Sequence, residues 1–149
     1  MNALSISVSG MSAAMSRLAA SASNVANAGT PGAVPATPPT QPVASAGQAD
    51  EPQVYQAVDA NSVSIGSGDA GMGVAVDVTP RLPSYSEAYD PQAPYANAEG
   101  LVADPNVDYL QEAVDQVMAV FAFQTNAAVY KTADEMTRDM LKLADSGRT

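Results

Sequence analysis

Apolar and small residues alternate along the first thirty positions with the spacing of an α-helix. Large apolar side chains recur in steps of four and three, with Ala22 filling the one gap in the series: Leu4, Val8, Met11, Met15, Leu18 and Val25. This pattern predicts a helix that pairs with other helices. In the stretch SASNVANAGTPG, Gly29 stands where a helix-terminating glycine belongs and Pro31 follows it. The helix should therefore end near Asn27 or Ala28.

The rest of this helix is almost free of charge. Arg17 is the only charged side chain before Asp50, and the positions outside the series are mostly Ser, Ala and Asn. A helix face exposed to water normally carries Lys and Glu, whereas small residues allow neighbouring helices to approach closely. We expect this helix to be surrounded by other helices.

A longer helical pattern occupies the C-terminal part of the chain, where Asp104 is a suitable N-cap and Pro105 suits the first turn. Two apolar stripes follow: Leu110, Val114, Val117 and Phe121, then Val129, Ala133, Met136, Met140 and Leu143. They are joined through Thr125 by steps of four, so a stutter interrupts the heptad. Residues 116–130 carry no charge, which indicates contact on more than one side. We call the large apolar residues of the N-terminal series and of these two stripes the apolar seam.

The composition changes between the two helices. Residues 30–53 are rich in Pro, Ala and Thr, which is typical of an extended linker or of a segment ordered only by its neighbours. Short runs at 54–58, 62–65 and 73–78 predict the strands of a small β element spanning residues 54–82.

Residues 83–103 contain three tyrosines among several prolines, which predicts an extended arm that packs its aromatic rings on a surface. The rings belong to Tyr85, Tyr89 and Tyr95. The predicted fold is mainly α with a small β element, and the N-terminal helix (1–29) pairs with the C-terminal helix (104–149) as a coiled coil. The direction and register of that pairing stay open.

The composition excludes most familiar catalytic systems. The 149 residues include no Cys, His or Trp. Disulfide scaffolds, Cys or His zinc sites and histidine-dependent nucleophiles are therefore excluded. The net charge of -10, with six scattered basic residues, argues against nucleic acid or an anionic membrane surface as a partner.

Membrane insertion and cleavage of a leader are also disfavoured. No stretch approaches the roughly 20 uninterrupted apolar residues of a spanning helix. The first ten residues carry no Lys or Arg, and Arg17 interrupts the apolar region. We therefore expect no cleaved signal peptide, although residues 26–28 resemble a small-residue cleavage site.

A glycine pattern could suggest nucleotide binding. Gly66, Gly68 and Gly71 form a GxGxxG sequence. In a dinucleotide fold this sequence opens a helix whose N-terminus binds phosphate, whereas here it leads into a predicted strand. A loop that joins two strands is the better interpretation.

Two further patterns could suggest a metal. An acidic stripe runs through Asp104, Asp108, Glu112 and Asp115. Favourable charge at a helix N-terminus on a solvated face explains it better than a cation site does. Methionines at helical spacing indicate adaptable packing rather than a soft-metal site. We predict no catalytic, cofactor-binding or metal-binding residues.

Both ends of the chain resemble a known family. The N-terminal stretch ASNVANAGTPG resembles the signature shared by flagellar rod and hook subunits. A sharper resemblance is carried by YDPQAPYANAEGLVADPNVD and FQTNAAVYKTADEMTRDMLKL. These segments resemble the bacterial flagellar axial proteins, and within them the proximal-rod family often called FlgC.

The resemblance implies a structural subunit that polymerises in the periplasmic rod of the flagellar basal body, with no enzymatic activity and no cofactor. The implied partners are copies of the chain, other rod proteins, the flagellar type III export apparatus, the inner-membrane ring and the distal rod, without nucleic acid or a small-molecule substrate. Export through the flagellar apparatus would need no cleaved signal. The apolar seam would be the assembly surface that transmits torque, and Tyr85, Tyr89 and Tyr95 would contact adjacent subunits.

Three other interpretations stay open. Another rod or hook segment of the same family is the nearest of them. A secreted coiled-coil effector or translocator would work without forming a polymer. A nucleotide-binding enzyme is the third, and a nucleotide-binding assay would test it.

Overall fold

In the described part of the chain, a long helix comes first, four short strands follow, and a second long helix comes last. The computed structural model describes residues 3–43, 51–66 and 73–147. The elements are α1 (Ala3–Asn27), β1 (Val58–Ser64), β2 (Val74–Pro80), β3 (Tyr85–Tyr89), β4 (Leu101–Pro105) and α2 (Tyr109–Ser146). β1 pairs with β2 in one two-stranded sheet, and β3 pairs with β4 in another. The prediction of terminal helices with a small β element between them is confirmed, and coiled-coil pairing of the helices stays a prediction.

The described residues form two units, and each unit combines segments that are distant in sequence. The first is drawn from Met1–Leu18, Asn61–Asp77 and Gln116–Thr149, and the second from Ala19–Ala60 and Val78–Asp115. Both units are therefore discontinuous in sequence.

The end of α1 lies where the sequence predicts it, but the chain turns there in a different way. α1 ends at Asn27, and the N–H of Thr30 donates to the Asn27 carbonyl at 3.0 Å. Left-handed backbone occurs among the described glycines at Gly66, Gly73 and Gly100, and Gly29 does not adopt it. A simple turn after Asn27 therefore stops the helix.

The start of α2 differs from the prediction. Asp104 and Pro105 lie in strand β4, where the Asp104 residue pairs with Ser86 across the sheet. The helix begins at Tyr109, and its cap is Asp108, whose Oδ1 accepts a hydrogen bond from the N–H of Leu110 at 2.8 Å. Both aspartates suit an N-cap, and pairing with β3 decides between them.

The core of the second unit lies around the β3–β4 hairpin. Val54, Tyr85 and Ala103 form a buried cluster, and Val34 and Val43 pack against it. The predicted extended arm at 83–103 is thus a hairpin, because Tyr85–Tyr89 pairs antiparallel with Leu101–Pro105.

The described parts of the Pro-rich segment, residues 30–43 and 51–53, contact this hairpin and each other. Gly32 and Ala103 exchange backbone hydrogen bonds of 2.9 Å in both directions. The Ser84 N–H donates to the Pro39 carbonyl at 2.8 Å. A Cβ on Gly32 would meet the backbone of Gln53 and Val54, so glycine permits this close approach. The sequence interpretation of a segment ordered by its neighbours applies here.

In the first unit, α1 approaches the β1–β2 hairpin and α2 through small residues. The N–H of Val74 donates to Ser9 Oγ at 3.1 Å, next to Gly73. A Cβ on Gly10 would meet the side chain of Asn126. Small side chains on α1 therefore bring its backbone close to both partners.

The predicted strands are found with shifted limits. Of the run 54–58 only Val58 is in a strand. β1 and β2 include the other two runs except for Ile65 and Gly73. Gly66 follows β1, whereas Gly68 and Gly71 of the GxGxxG pattern lie outside the described residues. No helix within the described ranges is long and apolar enough to cross a membrane.

Candidate functional site

A buried carboxylate occupies the centre of a polar network in the second unit. Glu112, on the first turn of α2, is 1% exposed. Its Oε1 accepts hydrogen bonds from Asn24 Nδ2 at 2.9 Å and from Arg81 Nη2 at 2.8 Å. Arg81 Nε in turn donates to Asp59 Oδ1 at 2.8 Å. We call Asn24, Tyr55, Asp59, Arg81 and Glu112 the Glu112 network.

Asn24 of α1 uses its whole hydrogen-bonding capacity in this network. Its Oδ1 accepts from the Val58 N–H and the Tyr55 hydroxyl, both at 3.0 Å. Its Nδ2 donates to the Val58 carbonyl and to Glu112, both at 2.9 Å. An asparagine amide offers two donor hydrogens and one accepting oxygen with two lone pairs, and all are used here. The side chain is 1% exposed and fully satisfied.

Two further contacts tie the same residues together. Ser21 Oγ, one turn before Asn24, donates to the backbone carbonyl of Glu112 at 3.0 Å. Burial lowers the pKa of Arg81, but hydrogen bonds and attraction to Asp59 and Glu112 outweigh it and raise that pKa above its ordinary value. Arg81 therefore stays charged and balances the buried carboxylate.

The sequence interpretation of the acidic stripe is wrong at Glu112. Glu112 is buried and paired, and Asp108 caps α2. The signal that could have found the network is Arg81, which is the only basic residue between Arg17 and Lys131. Among the residues that the structure describes, no group of three or more acidic side chains could hold a metal ion.

Most residues on the buried side of α1 are small. Ser7, Ala14 and Ser21 are buried at intervals of seven, Asn24 is buried, and Gly10 and Arg17 are partly buried; Ala13, next to this series, is buried as well. We call the six positions of this series, without Ala13, the small-residue face. Their steps of three and four are those of a heptad seam. The predicted period is therefore present, but each position lies one residue before the corresponding position of the apolar seam.

The apolar seam of α1 is more open than the small-residue face. Leu4, Met11, Leu18 and Val25 are partly buried. Val8 is 47% exposed and Met15 is 60% exposed. In the single chain this seam is not the buried side of the helix, and its role in assembly stays a prediction.

The same division holds on α2. Glu112 and Ala119 are buried and Asn126 and Ala133 are partly buried, again at intervals of seven. Apart from Ala133, the members of the predicted stripes are exposed: Leu110, Val114, Val117, Phe121, Val129, Met136, Met140 and Leu143. Large exposed apolar patches are often interaction sites, and the role of these stripes in assembly stays a prediction.

The three tyrosines predicted to contact other subunits have different environments. Tyr85 is 3% exposed, lies in this chain's own core and donates its hydroxyl to the Thr37 carbonyl at 3.0 Å. The prediction for Tyr85 is corrected, because its ring is buried by residues of the same chain, among them Val54 and Ala103. Tyr89 is exposed and Tyr95 is partly buried, and their contacts stay a prediction.

Comparison with known families finds matches at both ends of the chain. The family described as "Flagella basal body rod protein" matches residues 4–33, and the one described as "Flagellar basal body rod FlgEFG protein C-terminal" matches residues 98–143. Within the second unit the two matched segments are bonded to each other, through Asn24 and Glu112 and through Gly32 and Ala103.

Two curated relatives carry the same family name. The chain is 44% identical over 85 residues to "Flagellar basal-body rod protein FlgC" of Bacillus subtilis (strain 168), covering 56% of this chain and 54% of the relative. It is 35% identical over 57 residues to the FlgC protein of Buchnera aphidicola subsp. Acyrthosiphon pisum (strain APS), covering 38% and 42%. The chain spans about half the length of the curated relatives it matches. With both terminal helices matched in this way, the chain belongs to the flagellar basal body rod family, and its similarity within that family is to the FlgC proteins.

Proposed function

We propose that the chain is a structural subunit of the flagellar basal-body rod, which works by packing against other subunits and carries out no reaction. The observation that carries this proposal is the exposure of the apolar seam on α2, the helix that contains most of the C-terminal family match. Burial of apolar surface is the main driving force for protein association. Neighbouring subunits would cover the seam in the rod.

We further propose that α1 and α2 pair as a coiled coil. Gly10 approaches Asn126 in the first unit, and Asn24 bonds to Glu112 in the second. Each of these contacts joins the two helices within one unit, and together they support the pairing.

The proposed location is the proximal rod in the periplasm. Its proposed partners are copies of this chain, other rod proteins, the inner-membrane ring and the distal rod. Export through the flagellar type III apparatus without a cleaved signal and transmission of torque through the packed helices belong to the same proposal. The names of the two curated relatives support the basal-body location.

A second candidate is another rod or hook segment of the same family. The observation in its favour is the C-terminal match, whose description names the FlgE, FlgF and FlgG proteins. The FlgC names of both curated relatives favour the proximal rod instead. The position of the chain along the rod would separate the two candidates.

Deletion of the gene, followed by purification of hook-basal bodies, tests the function. We expect the chain in wild-type basal bodies, and we expect the deletion to stop assembly before the distal rod and to abolish swimming. Assembly that stops only after the distal rod would favour another axial segment. Wild-type basal bodies without the chain, from a strain whose deletion mutant swims normally, would refute the proposal and favour a secreted coiled-coil protein.

A further inference from the structure

α1 has two faces that could each be turned into the chain. The small-residue face and the apolar seam share one heptad spacing and differ by one residue at each position. One residue corresponds to a rotation of about 100° around an α-helix. A rotation of that size would therefore exchange one face for the other without changing the period of the contact.

Burial of apolar surface alone would favour the orientation in which the apolar seam of α1 packs against the rest of the chain. Val8 and Met15 of the apolar seam are larger and more apolar than Ser7 and Ala14, which are buried in their place. Each buried methylene is worth roughly 0.8 kcal/mol of transfer free energy. Two other effects therefore hold the small-residue face inward: the close approach at Gly10, where a Cβ would meet Asn126, and specific polar interactions.

Polar contacts of the α1 side chains with their partners supply that specificity. Asn24 bonds to both backbone groups of Val58 and to Glu112, and Ser21 bonds to the Glu112 carbonyl. Rotation of the helix would break all of these bonds and leave Glu112 buried with one partner fewer. Single buried polar residues are known to select one packing arrangement over others, even where they add little net stability.

We propose that Asn24 and Glu112 are positioning residues that select the face of α1 turned into the chain. They keep the small-residue face inward and leave Val8 and Met15 of the apolar seam exposed. The choice of face is a property of the single chain. Only the use of the outward seam by neighbouring subunits rests on the proposed function.

The test measures which face is outward by the reactivity of single thiols. The chain contains no Cys, so Ala14→Cys and Met15→Cys each introduce one thiol, at an inward and an outward position in the middle of α1. In the otherwise unchanged chain we expect maleimide to label position 15 at least about tenfold faster than position 14. Equal rates would overturn the proposal.

Asn24→Asp places a second carboxylate against Glu112, so repulsion should release the helix. We expect the ratio of the two labelling rates to fall by at least about threefold while the far-ultraviolet helix signal is retained. Asn24→Asp combined with Glu112→Gln exchanges the amide and the carboxylate. The amide introduced at position 112 can still donate to residue 24 and accept from Arg81. Because a carboxylate at position 24 cannot donate to the Val58 carbonyl, we expect the ratio to rise above that of Asn24→Asp without reaching the original value.

The matched control is Glu135→Gln, which neutralises an exposed carboxylate on the same helix and should leave the ratio unchanged. A folded Asn24→Asp chain with the original ratio would overturn the proposal. If that variant does not fold, the exchange variant decides: faster labelling of position 15 than of position 14 supports the proposal, and equal labelling of the two positions refutes it. Labelling as expected in a chain that proves absent from basal bodies would refute the proposed function alone.

Discussion

Asn24 on α1 and Glu112 on α2 share a hydrogen bond of 2.9 Å between side chains that are each 1% exposed. Asn24 lies in the N-terminal family match and Glu112 in the C-terminal one. Arg81, which completes the bond network, comes from the segment between the two matches. The two terminal segments are thus joined through a group from the middle of the chain.

Removal of the buried carboxylate should destabilise the fold. Glu112→Ala leaves Arg81 and Asn24 without their shared acceptor, and we expect the free energy of unfolding to fall by about 3 kcal/mol. Urea denaturation followed by circular dichroism measures the change. The control is Glu135→Ala, which removes an exposed ion pair with Lys131 at 4.0 Å and should change stability by less than about 0.5 kcal/mol. Equal effects of the two substitutions would contradict this assignment.

Two glycines at the start of the Pro-rich segment should respond differently to a methyl group. Gly32→Ala forces a Cβ into the backbone of Gln53 and Val54, whereas a Cβ on Gly29 meets nothing within 4 Å. We expect Gly32→Ala to cost at least about 2 kcal/mol of unfolding free energy and Gly29→Ala to be nearly neutral. Thermal melting of the two variants checks this. A Gly32→Ala chain as stable as the Gly29→Ala chain would show that the segment does not dock as described.

Tyr85 should make the fold sensitive to alkaline pH. Burial, and to a lesser degree the charge of Glu87, raises the pKa of Tyr85 above its ordinary value of 10.0. The folded state therefore favours the neutral phenol. Its contribution to stability is complete below the ordinary pKa and is lost as the pH rises through the raised one.

The measurement is the urea midpoint at increasing pH, compared with that of Tyr85→Phe. We expect the difference in midpoint between the two chains to change only at alkaline pH, where the phenol of the unfolded chain ionises. A difference that stays constant across the whole range would contradict the raised pKa.

A charge on the apolar seam should block assembly without unfolding the chain. Val117 is 68% exposed, so Val117→Asp should change the melting temperature little, while burial of an unpaired carboxylate between subunits costs several kcal/mol. We expect loss of swimming at normal protein levels. Thr132→Asp, at an exposed position of α2 outside the seam, is the control and should preserve swimming. Normal swimming of the Val117→Asp strain would count against the seam as an interface.

The period of the helices could be predicted from the sequence, and the face they bury could not. Heptad analysis assumes that the largest apolar residues are buried by the nearest partner. In α1 the buried positions are one residue earlier, because Ser21 and Asn24 bond to Glu112. A subunit of a polymer keeps part of its apolar surface for neighbours, which one sequence does not reveal.

Contacts between residues that are distant in sequence explain the other differences between the predicted and the observed structure. Asp104 and Asp108 both suit a helix cap, and only the β3–β4 register decides that the helix starts after Asp108. Tyr85 belongs to the core because Val54 and Ala103 meet there. Glu112 lies among other acidic residues at helical spacing, so the sequence does not distinguish it from them. Its buried charge is paired with Arg81, which is distant in sequence.

Site-specific photo-crosslinking from Met15 tests the central claim most directly. A photoreactive residue at this exposed seam position is introduced into the chain in living cells, and basal bodies are purified after irradiation. The account predicts covalent adducts between the chain and rod subunits, which disappear in a strain that cannot build the rod. Basal bodies that contain the chain without adducts from position 15, while a probe at Thr132 does form them, would contradict it.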